Sequence, residues 1–166
     1  MKDGILIIDK PKDFTSHDVV AKCRKILNTK KIGHTGTLDP MATGVLVLCI
    51  GAATKLVDYL MSDSKVYDVE LKLGIKTDTG DITGNVIETN DKNTSQAADN
   101  QFWNSFISKQ IQVPPMYSAV KKDGVKLYEL ARKGIEIERE GREIEIFNIS
   151  NVECENDRIS FRVHCS

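Results

Sequence analysis

The sequence predicts an α+β fold: a mixed, largely antiparallel sheet with helices on its faces. Three features carry that expectation. Short strand-like runs are neighbours in sequence and are joined by turn residues, so hairpins dominate over crossovers. The helix-like segments are few and do not alternate with strands as regular βαβ units, and there is no internal repeat. At 166 residues, 40% hydrophobic and 28% charged, the chain is long enough to bury a core as one ordinary domain.

"GILIID" (4–9) reads as a short buried strand, followed by a turn, "KPKDFTS" (10–16). Thr15 or Ser16 can cap the next helix, with Asp18 in its first turn, and Val19, Cys23, Ile26 and Leu27 recur at helical spacing. "VLVLCI" (45–50) is apolar on both faces, as in a central strand, and "TKLVDYLM" (54–61) predicts a helix burying Leu56, Val57, Leu60 and Met61. "VYDVELKLG" (66–74) alternates, placing Tyr67, Val69, Leu71 and Leu73 on one face. A turn-rich connection (76–85), a short strand at Val86–Ile87 and a polar loop (89–100) follow. "QFWNSFI" predicts a helix anchored by Phe102, Trp103, Phe106 and Ile107. Residues 112–134 begin extended at Pro114–Pro115 and end as a basic helix, and strand-like runs flank Gly141. "RISFRVHCS" alternates Ile159, Phe161, Val163 and Cys165 and then stops, which predicts a sheet cut short, with its last strand an unpaired edge.

A net charge of −1 excludes a uniformly basic nucleic-acid binder but hides an asymmetry. Residues 1–67 carry ten Lys and Arg against seven Asp, and the remainder thirteen against seventeen acidic residues. Lys22, Arg24, Lys25, Lys30 and Lys31 form either a local phosphate-positioning patch or a solvated helix face. The four cysteines are scattered without a CxxC pair, and His164–Cys165 would point to opposite faces of a strand, so neither a zinc site nor a disulfide framework is expected. No apolar run approaches a membrane span and "MKDGILIIDK" lacks the layout of a signal peptide, so the expected compartment is the cytoplasm.

The stretch "KIGHTGTLDPMATGVLVL" (31–48) concentrates Gly33, Gly36 and Gly44 around one carboxylate, Asp39, which Pro40 keeps out of helical geometry. Asp39 is either an Asx-type turn residue or a carboxylate held out for a substrate. A phosphate loop is not supported, because "GAATK" (51–55) lacks the glycine before its lysine.

"GHTGTLDPMATGVL" (33–46) resembles the catalytic motif of the bacterial tRNA pseudouridine-55 synthases, the TruB type. "LIIDKPKDFTSHDVV", "KVYDVELKLGIKTDTGDITG" and "PPMYSAVKKDGVKLYELARKG" are similar to further segments of that family in the same order, so the resemblance covers residues 4–166. It implies a pseudouridine synthase fold and isomerisation of uridine 55 in the tRNA T-loop, with no cofactor and no metal. The base is flipped out, its N1–C1′ bond breaks, and C5 joins C1′. Asp39 would be catalytic, as nucleophile at C1′ or as base toward the 2′-proton. Tyr67 would stack on the flipped uracil, unless it is a core residue on its alternating face. His34 would fill the space the base vacates, unless it is a hydrogen-bonded turn residue, and Asp81 would help orient the site, unless it shapes its own turn.

By the same resemblance Lys10–Pro11 has a structural role, and Asp13 stands where the family usually has glycine. Residues 112–146, with Lys121, Lys122, Lys126, Arg132 and Lys133, are similar to a loop that closes over RNA. The T-arm of tRNA is the expected partner, with no membrane and no obligate protein partner. The family continues with a segment whose arginine pairs with the catalytic aspartate, and then with an RNA-binding domain. Residues 1–166 thus read as a partial catalytic domain, with little turnover expected alone. A non-catalytic tRNA-binding or folding module and a guide-RNA-dependent synthase subunit are the alternatives.

Overall fold

A computed structural model describes residues 3–61, 64–90, 99–118 and 120–166. Most of the polar loop expected at 89–100, and Ala119 of "PPMYSA", lie outside the described residues. The chain divides into two compact units, Met1–Asp63 and Ser64–Ser166.

In the first unit, strands β1 (Gly4–Lys10), β2 (Ile32–His34) and β3 (Gly44–Ile50) form an antiparallel sheet in the order β1-β3-β2. The run 45–50 is therefore central, as its two apolar faces predict. Helix α1 (Ser16–Ile26) packs its Ser16, Val19, Val20 and Cys23 stripe on that sheet, against Ile32, Leu46 and Leu48. Those positions follow i, i+3, i+4, i+7 spacing. Ile26 and Leu27, expected inside, are the last helical residue and the C-cap of α1, and are 71% and 40% exposed. Thr15 is the N-cap: its hydroxyl accepts the Asp18 N–H at 3.0 Å, and Asp18 accepts the Thr15 N–H in return.

Two apolar expectations fail here for geometric reasons. The first strand is not buried on both faces; Leu6 and Ile8 face the core while Ile5 and Ile7 are exposed, as on an edge strand covered on one side. Residues 51–56 form a 3₁₀-helix, and only Val57–Met61 are α-helical (α2). In the 3₁₀ turn Gly51 is buried, Ala53 and Thr54 are half-buried and Leu56 is exposed, and in α2 Val57 and Leu60 are half-buried while Met61 is exposed.

In the second unit, β4 (Lys65–Lys72), β7 (Lys109–Gln112), β10 (Arg142–Glu155) and β11 (Arg158–Cys165) form an antiparallel sheet in the order β4-β11-β10-β7. The expected unpaired edge at the last strand is overturned. β11 pairs with β10 on one side and along all of β4 on the other, from Arg158↔Lys72 to Cys165↔Lys65. Among the described residues, β4 and β7 are the edges of this sheet instead. A hairpin of β5 (Ile75–Thr77) and β6 (Val86–Thr89) follows β4 in sequence.

α3 is only five residues (Asn100–Asn104), and of its expected anchors Trp103 alone is buried, against Ile159 with Leu73, Ile149, Val152 and Phe161 around them. Phe102 meets Trp103 and Phe106 edge-on, Phe106 lies tilted against Trp103, both phenylalanines are 38% exposed, and Ile107 is half-buried. The strand expected before Gly141 is absent, since residues 135–141 have no regular structure. The remaining elements are a small hairpin, β8 (Lys121–Lys122) and β9 (Val125–Lys126), and the five-residue α4 (Leu127–Ala131).

Candidate active site

Asp39 and His34 lie in the first unit, Tyr67 and Asp81 in the second. Asp39 opens a β-turn closed by the Ala42 N–H donating to the Asp39 carbonyl at 3.0 Å, with Pro40 at the position its fixed φ favours. The backbone of Asp39 shapes the turn. Its side chain does not: the residue is exposed, and among the described residues its carboxylate makes no hydrogen bond or ion pair.

The peptides on both sides of that carboxylate are clamped. Before it, Leu38 packs its side chain against the core, and the buried Ser16 hydroxyl accepts the Leu38 N–H at 2.9 Å and donates to the Leu38 carbonyl at 3.2 Å. After it, the Pro40 carbonyl accepts the Asp13 N–H at 2.7 Å and Lys10 Nζ at 3.3 Å. Lys10 is fully buried, and its ammonium, with three donors, also reaches the Phe14 carbonyl at 2.6 Å and the Pro11 carbonyl at 3.1 Å. The structural role expected of Lys10–Pro11 is thus specific: Lys10 ties the turn at 11–14 to the turn that carries Asp39.

Asp13 takes φ +66°, the left-handed geometry that glycine adopts without cost and aspartate at modest cost. Of Gly33, Gly36 and Gly44, only Gly44 takes a positive φ (+114°), where the chain turns into β3.

His34 ends β2, and its Nδ1 lies 2.6 Å from the Gly36 carbonyl. A carbonyl only accepts, so Nδ1 carries the proton and a neutral ring leaves Nε2 as an acceptor. The hydrogen-bonded turn geometry weighed for this residue is therefore present.

Tyr67 stands on the edge strand β4, paired with Val163, and is 42% exposed, so it is not a core residue. Asp81 accepts from the Thr83 N–H at 2.8 Å, the Thr83 hydroxyl at 2.6 Å and the Thr79 hydroxyl at 2.9 Å. Partial burial pushes its carboxyl up, but the Thr83, Thr79 and Gly84 hydrogen bonds outweigh that and hold it below the usual range. That is the geometry of a turn organiser. Gly84 closes the same turn, and a side chain there would collide with Thr79 and Asp78.

The basic cluster ahead of the loop is partly structural. Arg24 donates to the Ile32 carbonyl at 3.0 Å, tying α1 to β2, and Lys22 sits over the Phe14 ring at 5.7 Å. Sequence reasoning missed the Ser16 and Lys10 clamps, and Ser16 appeared only as a possible cap. The described residues include no group of His, Cys, Asp and Glu that could hold a metal, and no helix long and apolar enough to cross a membrane.

The family model for the TruB family pseudouridylate synthase (N terminal domain) matches residues 24–166. The chain belongs to that family. It is 51% identical over 164 residues to the tRNA pseudouridine synthase B of Clostridium acetobutylicum, covering 99% of this chain and 57% of that protein. It is 52% identical over 168 residues to the enzyme of the same name from Clostridium perfringens (strain 13 / Type A), covering 99% and 56%. The chain therefore spans little more than half the length of these curated relatives. Among solved structures it is similar to a chain of a Cbf5-Nop10-Gar1 complex, with a TM-score of 0.70 and 31% identity over 98% of this chain and 39% of that one. It is also similar to a chain of an H/ACA RNP bound to a substrate RNA containing 2'-deoxyuridine, with a TM-score of 0.65 and 27% identity, covering 98% and 37%. The α+β expectation agrees with these neighbours.

Proposed function

We propose that this chain carries the catalytic aspartate of a cytoplasmic tRNA pseudouridine synthase, which converts uridine 55 of the T-loop to pseudouridine. One observation carries the reading: the Asp39 carboxylate is exposed and, among the described residues, unpaired, on a turn whose flanking peptides are fixed by Ser16, Asp13 and Lys10. A reacting group needs such geometry, because an unspent carboxylate on a rigid backbone is oriented before substrate arrives. Family membership supplies the chemistry that this carboxylate serves.

In that chemistry the target uridine leaves its stack, and Asp39 acts at the sugar, as nucleophile at C1′ or as base toward the 2′-proton. The N1–C1′ bond breaks, the uracil turns, and C5 bonds to C1′. The C5 proton is lost and N1 gains one, so the atoms balance without an external reagent. Tyr67, on its exposed edge strand, stacks on the uracil, an interaction worth roughly 1–3 kcal/mol. His34 contributes Nε2 toward the RNA, with its ring held by the Gly36 carbonyl. Asp81 acts through the shape of its turn rather than by direct contact.

Identity favours this reading over a guide-RNA-dependent subunit: 51% to a tRNA pseudouridine synthase B against 31% to the chain of the Cbf5 complex. The test is to incubate the protein with a tRNA transcript, digest to nucleosides, and compare position 55 with the other uridines. Pseudouridine confined to position 55 supports the proposal. Tight tRNA binding with no pseudouridine, even when the portion of a relative outside the matched stretch is supplied, would favour a non-catalytic tRNA-binding module.

A further inference from the structure

Phe14 stands between two residues that hold the turn of Asp39 from either side. Asp13, before it, donates its N–H to the Pro40 carbonyl at 2.7 Å. Ser16, two residues after it, binds both the N–H and the carbonyl of Leu38 through one hydroxyl. The Phe14 carbonyl itself accepts Lys10 Nζ at 2.6 Å, and the same ammonium reaches the Pro40 carbonyl. Leu38 and Pro40 flank Asp39, so these bonds fix the backbone of Phe14 alongside the candidate catalytic residue, within one compact unit.

The Phe14 ring stays accessible. The residue directly precedes the Thr15 cap, where an apolar side chain ordinarily folds back onto the fourth helical residue, here the buried Val19. Phe14 is nevertheless 36% exposed, and Lys22 Nζ stands over its ring, 5.7 Å from the centre. Lys22 is exposed and makes no ion pair among the described residues. Asp18 lies one turn before it on α1, but that carboxylate accepts the Thr15 N–H and hydroxyl. Arg24, by contrast, is engaged with the Ile32 carbonyl. Beside Asp39 the fold therefore holds an accessible aromatic ring with a cation above it.

We propose that Phe14 and Lys22 form a subsite for a nucleotide flanking the target uridine, its base stacked on the Phe14 ring and its phosphate met by the Lys22 ammonium. This rests on the reading of Asp39 as the residue that reacts with a uridine of RNA, and adds where the neighbouring nucleotide goes. When the target leaves its stack, each flanking base loses a neighbour. A ring fixed beside Asp39 supplies a replacement surface, and it tolerates any base because every base has a π face. Lys22 adds a phosphate contact that salt weakens.

The experiment measures affinity for synthetic T-arm RNA hairpins as a function of salt, with wild type, Phe14→Leu, Phe14→Trp and Lys22→Gln. Three RNAs are compared: the intact hairpin, and two in which the nucleotide on the 5′ or the 3′ side of the target uridine is abasic. Phe14→Leu keeps an apolar side chain at the start of α1 but removes the π face. It should weaken binding of the intact hairpin about three- to tenfold and leave binding of one abasic hairpin unchanged. Phe14→Trp should bind the intact hairpin within about twofold of wild type, or more tightly. Lys22→Gln should make the slope of log affinity against log salt shallower by about 0.7–0.9, one phosphate contact's worth. A Phe14→Leu loss of equal size on all three RNAs, no loss on the intact hairpin, or an unchanged slope in Lys22→Gln overturns this inference alone. No salt-dependent binding of the intact hairpin by the wild type, alone or with the portion of the Clostridium acetobutylicum relative outside the matched stretch, overturns it together with the RNA-modifying reading.

Discussion

Ser16 and Leu38, twenty-two residues apart, are joined by a reciprocal pair of hydrogen bonds through one buried hydroxyl, at 2.9 and 3.2 Å. The hydroxyl fills the place of a strand partner and fixes the peptide just ahead of Asp39. Ser16→Ala leaves a buried N–H and carbonyl without partners and should cost about 1–3 kcal/mol of stability. Urea unfolding checks the cost, and hydrogen exchange at the Leu38 amide should accelerate more than at the Leu48 amide in the neighbouring strand.

Lys10→Met keeps the volume of the side chain but removes the donor shared by the Pro11, Phe14 and Pro40 carbonyls. The expected loss is about 2–3 kcal/mol, read by the denaturation midpoint. Lys10→Arg should not rescue it, because a planar guanidinium does not reproduce three converging ammonium donors.

At Asp13, φ is +66° and the N–H is bound to Pro40. Asp13→Gly should be neutral or stabilise slightly, and Asp13→Val should destabilise by about 1–2 kcal/mol, since a β-branched residue resists that geometry. Thermal midpoints of the two variants should move in opposite directions or, for glycine, not at all.

The element most legible in the sequence was the one with a strong local signal. Thr15–Asp18 capping, the Val19 and Cys23 stripe and the central 45–50 strand all follow from short-range chemistry, while the left-handed Asp13 was legible only through the family resemblance, which has glycine there. The position of the last strand did not. Residues 158–165 pair with 65–72, and nothing near either segment reports on a partner that far away in sequence. The 3₁₀ start at Gly51 was hidden because apolar positions fit a 3.6-residue period nearly as well as a three-residue one over so short a stretch. At the candidate site the motif pointed to Asp39 and Lys10–Pro11 was expected to be structural, but the grip of Ser16 and Lys10 on the Asp39 turn was not legible: a serine beside a threonine reads as a cap, and no local signal says which distant carbonyl a lysine will meet.

The Asp81 carboxyl is held below its ordinary range in the fold, against the upward push of partial burial, by hydrogen bonds from Thr83, Thr79 and Gly84. A group whose folded value is depressed contributes stability above its unfolded value, about 3.9, and loses it as pH falls through the folded value. Stability should therefore decline below about pH 4, and Asp81→Asn should flatten that decline while lowering stability at neutral pH. Urea unfolding at several pH values between neutrality and strong acid checks both.

The proposed function requires that the Asp39 carboxylate, unpaired among the described residues, does the chemistry. The most direct measurement is tritium release from T-arm RNA carrying [5-³H]uridine at position 55. It would use this chain and its Asp39→Asn variant, each alone and with the portion of the Clostridium acetobutylicum relative outside the matched stretch. Release by the aspartate form is expected, with a fall of at least about a thousandfold in the variant and RNA affinity little changed. Release that survives Asp39→Asn, or RNA bound by the aspartate form with no release in either setting, would contradict it.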